Sequence, residues 1–225
     1  MPSTGASSTI LDARVPAPHV ANVAPAGVIL AGGTSSRFGA AKGLERVAGI
    51  RIVDRVAAAL RSVTGDDLLL VANESSADGW LPGVPRIADR VAGGGGLSGL
   101  HAALAHLQRP VLAVAWDMPF VTPALLRELA RRCPAGAADA AVPVSASPVG
   151  MEPFCACYTR ACLAPLERAL VAGAFGAAAF VRTIPRVAWL TDHDVRAFGD
   201  PARLFFSVNT RDDLERAEAM AATTQ

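Results

Sequence analysis

Runs of consecutive apolar residues alternate with stretches whose apolar positions fall three and four apart. Val28, Ile29, Leu30 and Ala31 form the first run, and it breaks at once into Gly32 and Gly33, three small hydroxyl residues, Arg37, Gly39 and Lys42. A run with no polar alternation predicts a strand buried on both faces. Ile50, Val53, Val56 and Leu60 follow at helical spacing and predict an amphipathic helix. Residues 68–72 are a second continuous apolar run with Asn73 at its end, and residues 85–88 a short strand-like segment ending at Asp89. Four glycines, Gly93 to Gly96, lead into a predicted helix to about residue 108. Residues 111–115 form a third buried strand ending in Trp116-Asp117-Met118-Pro119. Thr122 is a predicted N-cap, with Pro123 at the first helical position and Glu128 in the second turn. Strands alternating with helices predict an α/β chain with a parallel sheet covered on both faces. Ligands of such sheets bind beyond the carboxyl ends of the strands. The first loop, Asn73 and Asp117 sit at such ends and Asp89 follows the short segment, so one cleft is expected to collect them.

The second half is less regular. Strands are predicted at residues 140–144, 154–158 and 187–190, and helices at 161–171 and 175–181. Phe205-Phe206-Ser207-Val208 leads to Asn209, after which Thr210 caps the last helix with Asp213 as an acidic capping-box partner. Residues 1–24 lack periodicity, and they show no basic start followed by an apolar run, as a secretory signal would. They are read as a flexible N-terminal tail. With no repeat and no dividing linker, residues 25–225 are expected to form one domain, in which 25–135 is the first half and 136–225 the second.

Composition narrows the classes. The chain has 225 residues, 52% hydrophobic and 18% charged, enough apolar surface for a real core. Its 21 basic and 20 acidic residues leave a net charge of +1, which gives no support to nucleic-acid binding. Apolar runs are interrupted well short of about 20 residues, so no membrane-spanning helix is expected. Cys133, Cys155, Cys157 and Cys162 form no C-x-x-C pair and are expected to be buried small hydrophobes in a reducing cytoplasm, a redox or metal role being the alternative. His19, His101, His106 and His193 have no ligand spacing, and no G-x-S-x-G elbow is present.

The loop after the first strand carries the clearest chemistry. Glycines let backbone N–H groups approach oxyanions, and Arg37 and Lys42 neutralise them. Neither the Walker pattern nor G-x-G-x-x-G is present, so the loop is read as a different nucleotide loop, one that wraps a triphosphate. Asp117, at the end of an apolar strand, is either a turn acid or a Mg²⁺ ligand, since magnesium commonly takes one or two carboxylates plus substrate phosphates. Asp89 is either a turn acid or an acceptor for a base or ribose, and Asn73 either a turn amide or a reader of the base edge. The four glycines are either a connector or a backbone that must approach a ligand. Asn209 is left unexplained by the helix cap.

LAGGTSSRFGAAK resembles the L-[AG]-G-G-x-S-x-R-[MF]-G-x-x-K loop of nucleotidyltransferases that join a nucleoside monophosphate to a phosphorylated acceptor. AWDMPFVTPALL, GGLSGL and FFSVNTRDDL resemble that family's metal-binding strand end, its G-P-L-A-G-L element and its closing element, in the same order and across residues 27 to about 218. The whole set is most similar to the molybdenum cofactor guanylyltransferases. The resemblance implies a Rossmann-like three-layer α/β fold, mostly parallel, with an antiparallel portion in the C-terminal half. It implies transfer of GMP from GTP to the terminal phosphate of molybdopterin, with release of pyrophosphate, in the cytoplasm. Transient contact with other cofactor-biosynthesis proteins is the further partner it implies. By resemblance, Leu30, Ala31, Gly32 and Gly33 contact the nucleotide, Lys42 the phosphates, Asn73 and Asp89 the guanosine, and Asp117 holds Mg²⁺. Arg37, Lys42 and Asp117 are then the expected catalytic groups, and residues 25–135 the nucleotide half. Ala41, Gly96, Glu152 and Ser207 depart from the family pattern. Glu152 and Ser207, with Asn209, lie in the half expected to hold the acceptor. A relative using CTP, a sugar phosphate or phospholactate, and a non-catalytic nucleotide-binding module, are the alternative readings.

Overall fold

The computed structural model describes residues 23–32, 42–91, 93–133 and 137–223, with Lys42 described in its backbone alone. The first half runs β1 (Ala26–Leu30), β2 (Arg46–Val47), β3 (Ile50–Arg51), α1 (Ile52–Thr64), β4 (Leu68–Val71), β5 (Arg86–Ile87), α2 (Gly95–Leu107), β6 (Val111–Ala115) and α3 (Pro123–Arg132). The second half runs β7 (Ala140–Pro143), β8 (Cys155–Tyr158), α4 (Leu163–Val171), α5 (Ala177–Arg182), β9 (Val187–Leu190), α6 (Asp192–Arg196), α7 (Pro201–Leu204) and α8 (Arg211–Ala222). Seven strands form one mixed sheet in the order β5-β4-β1-β6-β8-β7-β9, so the sheet passes through both halves. β8 is antiparallel to both its neighbours, while every other pairing in this sheet is parallel.

Adjacent residues of a strand point to opposite faces, which is why these strands read as unbroken apolar runs. Ile29, Leu70 and Val114 pack with α1 and α3 on one face; Val28, Leu30, Leu69 and Ala113 pack with α2 and α4 on the other. Val53, Val56 and Leu60 of α1 are fully buried, as their spacing predicted. Ile50 is not part of that stripe: it lies in β3, half exposed, in a two-stranded hairpin with β2. The hairpin, α6 and α7 are additions to the predicted elements. α8 covers the hairpin through a small cluster of Val47, Ile52, Phe120, Val208 and Ala217.

The helix caps follow the sequence. The Leu125 N–H donates to the Thr122 hydroxyl, and Thr210 with Asp213 forms a complete capping box ahead of α8. Both α6 and α7 start on equally local signals, a Thr191–Asp194 capping box and an Asp200 cap followed by Pro201. All four cysteines are buried and free, with Cys155 and Cys157 on the face shared by α1 and α3. Burial pushes the Cys155 thiol up, and lifts that of Cys162 to about 12, so neither supplies a thiolate near neutral pH.

Candidate functional site

Four parallel strands end along one edge of the sheet, and that edge collects the candidates. The Ala31 N–H donates to the Val71 carbonyl at 2.8 Å, the Trp116 N–H to the Leu30 carbonyl at 3.1 Å, and the Ala72 N–H to the Ile87 carbonyl at 3.0 Å. These bonds level the ends of β1, β4, β5 and β6. They also commit the Leu30 carbonyl and Ala31 N–H to the ladder, so the Ala31–Gly32 peptide is where the strand passes into the loop. A Cβ on Gly32 would sit 3.8 Å from the Gly95 carbonyl oxygen and 3.9 Å from Asp89 Oδ2. Packing therefore does not demand glycine at 32, although the position lies against both Asp89 and the start of α2.

Asn73 and Asp89 are joined to each other. Asn73 Nδ2 donates to Asp89 Oδ2 at 3.0 Å, and the Asp89 N–H donates to Asn73 Oδ1 at 2.9 Å. The two bonds fix the orientation of both side chains, so the amide and the carboxylate act as one element. Arg86 reinforces this corner by donating to the Ala72 carbonyl at 2.9 Å.

Asp117 follows β6 and is only 8% exposed. Its carbonyl accepts the Val208 N–H at 3.0 Å, which fastens the closing segment to the strand end. The residue lines a cavity of about 190 Å³ together with Leu30, Gly32, Glu152, Phe154 and Ser207. Behind it, Trp116 stacks on Trp80 with ring centroids 4.9 Å apart and 10° between planes. Gly43 passes so close that a Cβ there would overlap the Trp116 ring. The glycine run has structural causes as well: Gly93 and Gly95 have positive φ, and a Cβ on Gly96 would overlap the Phe154 ring. Close packing and turn geometry thus account for these glycines without a ligand.

The opposite wall comes from the second half. β8 runs backwards beside β6, with Val114 opposite Cys155 and the Ala115 N–H donating to the Phe154 carbonyl at 2.7 Å. The residues before β8 therefore arrive at the edge where β6 ends. Glu152 is held there by its N–H, which donates to the Pro143 carbonyl at 3.0 Å. Its carboxyl contacts the Ser145 hydroxyl at 2.6 Å, and burial pushes its pKa above the usual carboxylate value. Ser207 lines this cavity and also a larger, open one of about 540 Å³, beside Ser147, Arg196, Phe206 and Arg216.

The structure thus brings Leu30, Gly32, Asp117, Glu152 and Ser207 to one cavity, with Ala31, Asn73 and Asp89 along the same edge. Asn209 is outside that lining. Its N–H shares the Asp213 carboxylate with that of Thr210, at 3.1 and 3.0 Å, so capping does account for its backbone. Gly33, Arg37 and the Lys42 side chain lie outside the described residues. Ser145 and Ser147 are site residues the sequence did not single out. The signal was available in the Ser-Ala-Ser-Pro turn between two strands.

Among the described residues no three His, Cys, Asp or Glu side chains converge as a metal cage. One buried carboxylate opening on a cavity is nevertheless a fit for Mg²⁺ carried in on a triphosphate, because magnesium needs few protein ligands when phosphate oxygens supply the rest. Among the described residues no helix is long and apolar enough to cross a membrane.

The chain's residues 27–191 match the family described as MobA-like NTP transferase domain. A probable molybdenum cofactor guanylyltransferase of Pelotomaculum thermopropionicum is 34% identical over 200 residues, covering 88% of this chain and 94% of that protein. One from Chloroflexus aggregans is 35% identical over 211 residues, covering 88% and 95%. The crystal structure of molybdopterin-guanine dinucleotide biosynthesis protein A from Archaeoglobus fulgidus superposes with a TM-score of 0.73 at 25% identity, covering 88% of this chain and 99% of that one.

Proposed function

The chain belongs to the MobA-like NTP transferase family and is a nucleotidyltransferase, and we propose that it transfers GMP from GTP to the terminal phosphate of molybdopterin, releasing pyrophosphate, with Mg²⁺. The observation that carries this reading is the convergence of Gly32, the Asn73–Asp89 pair and the buried Asp117 along one sheet edge, with a second wall facing Asp117 across a cavity. That convergence occurs in a chain whose relatives bear the guanylyltransferase name.

An acceptor phosphate is already anionic near neutral pH and needs little help from a base. The difficulty is that it must approach an anionic α-phosphate, so catalysis rests on position and charge. Asp117 is the residue to hold Mg²⁺, which when bound screens the phosphate oxygens. Arg37, whose fork binds two oxygens, and Lys42, as a point charge, draw charge toward the departing pyrophosphate. Gly32, where packing leaves room, lets the backbone come close to the nucleotide. Asn73 and Asp89 offer one amide and one carboxylate, in fixed orientation, to the guanosine end. Glu152 and Ser207 line the acceptor side, and Asn209, two residues past Ser207, is the third acceptor candidate. The reaction belongs to cofactor synthesis in the cytoplasm, where hand-over to other cofactor-handling proteins is the expected partnership.

The test is a panel of nucleoside triphosphates incubated with the protein, Mg²⁺ and molybdopterin, with pyrophosphate as readout. Release is expected with GTP and not with CTP, ATP or UTP. Equal release with CTP, or equally tight CTP binding by titration calorimetry, overturns the guanylyl assignment.

A further inference from the structure

Ser145, Ser147 and Glu152 join the two cavities. Glu152 lines the one that holds Asp117, Ser147 lines the larger one, and Ser207 lines both. Ser145 Oγ lies 2.6 Å from Glu152 Oε1 and 2.8 Å from Ser147 Oγ, while Ser147 Oγ lies 3.3 Å from the Met151 carbonyl oxygen. The Ser147 N–H donates to Ser145 Oγ at 3.2 Å. Three oxygen–oxygen contacts in a row need three protons, and each serine hydroxyl carries one. With Glu152 ionised, one contact has no proton: either the serine pair or the contact of Ser147 with the carbonyl. With Glu152 protonated the count closes, because Glu152 donates to Ser145, Ser145 to Ser147, and Ser147 to Met151.

We propose that Glu152 is a neutral carboxylic acid in the folded enzyme and acts as a positioning residue, keeping a second negative charge off the cavity wall where the anionic acceptor comes up to Asp117. The surrounding charges agree. Asp117 at the end of β6 is acidic, and the Cys155 thiol on β8 is buried and protonated. Arg182 of α5 donates instead to the Val149 carbonyl of the same turn, at 3.2 Å. Across the larger cavity Arg196 pairs with Asp192 at 2.7 Å and Arg216 with Asp213 at 3.6 Å, and Asp200 caps α7. Burial, the larger influence, disfavours the charged form of Glu152, while the bonds of the Ser145 and Ser147 hydroxyls to its carboxyl favour that form and only partly offset it. The role in acceptor approach rests on the guanylyl-transfer reading; the protonation state does not.

The experiment has two readouts on the full chain. Infrared spectra of the wild type and Glu152→Gln are compared across pH. A carbonyl stretch of a protonated acid is expected near neutral pH in the wild type, missing from Glu152→Gln and lost in the wild type as pH rises. The acceptor KM is then measured across the same range with saturating GTP. In the wild type it is expected to rise, approaching about tenfold per pH unit once the acid ionises, while kcat holds; Glu152→Gln is expected to lose that rise. No protonated-acid band in the wild type at neutral pH overturns the neutral acid. A KM that climbs with pH equally in both proteins overturns the positioning role. If the wild type transfers nothing from GTP, the proposed function falls, and the band alone decides the state of Glu152.

Discussion

The two walls of the cleft are built by opposite devices. On the first wall, parallel strands β1, β4, β5 and β6 deliver their carboxyl ends to one edge, and each apolar run hands its last residues to the site. On the second wall one strand is reversed, and it is the entry to β8, not its exit, that reaches the same edge. Polar groups follow the same division. The first wall settles Asn73 and Asp89 in a closed reciprocal pair, while the second strings a carboxyl and two hydroxyls into an open chain that runs between cavities. A closed pair fixes the orientation of both its members. An open chain depends on which end holds the proton.

The largest effect that would break this division is at Asp117, which follows β6 on the first wall and shares its cavity with Glu152 and Ser207 of the second. Asp117→Asn is expected to cut turnover at least about a hundredfold with unchanged circular dichroism, and Lys42→Ala likewise; near-normal turnover in either purified variant defeats the mechanism. Asn73→Ala opens the reciprocal pair, and the loss of a bond worth about 1–1.5 kcal/mol predicts roughly a tenfold rise in the GTP KM. Its acceptor KM should not move, and a parallel change in both would dissolve the distinction between the walls. A smaller effect concerns stability. Because the folded pKa of Glu152 lies above its ordinary value, the folded state binds the extra proton between the two. Stability is therefore expected to decline as pH rises from the ordinary carboxylate value through the folded one, and urea titrations of Glu152→Gln should be flatter across that window.

The smallest effect is a control outside both walls. Arg131 and Arg132 hold the Glu128 carboxyl near a pKa of about 2, so its contribution is present above the usual value and lost as pH falls toward 2. Arg132 also pairs with Asp194 and donates to the Trp189 carbonyl, tying α3 to β9 and α6. Arg132→Ala should lower unfolding free energy by about 1 kcal/mol and leave both KM values alone.

The first wall was legible in the sequence because continuous apolar runs name parallel strands, and their ends name the edge. That reasoning placed the loop after β1, Asn73, Asp89 and Asp117 along one edge without any contact being known, while Leu30 and Gly32 were singled out only by the family resemblance. The Asn73–Asp89 bond itself was not legible, since sixteen residues separate the two and only strand register brings them level. The second wall was less so. Strands at 154–158 and 140–144 were readable, but the sense in which β8 runs, and so which of its ends meets Asp117, is set by pairing across the sheet. The hairpin at β2 and β3 escaped because two-residue strands are too short to show a period, and Ile50 fell by chance on the helical stripe of α1. The caps of α6 and α7 were present in the sequence and simply short.

The stacked Trp80 and Trp116 carry a consequence of another kind. The chain has three tryptophans, and two of them lie face to face beneath Asp117, with Gly43 pressed on the ring of Trp116. Two indoles so close and nearly parallel share their electronic transitions, so the protein carries its own optical reporter. Any rearrangement that lifts residue 43, one position past Lys42, must alter the near-ultraviolet dichroism of that pair. A titration of that signal with nucleotide therefore tests whether binding moves Gly43, with no label attached to either wall.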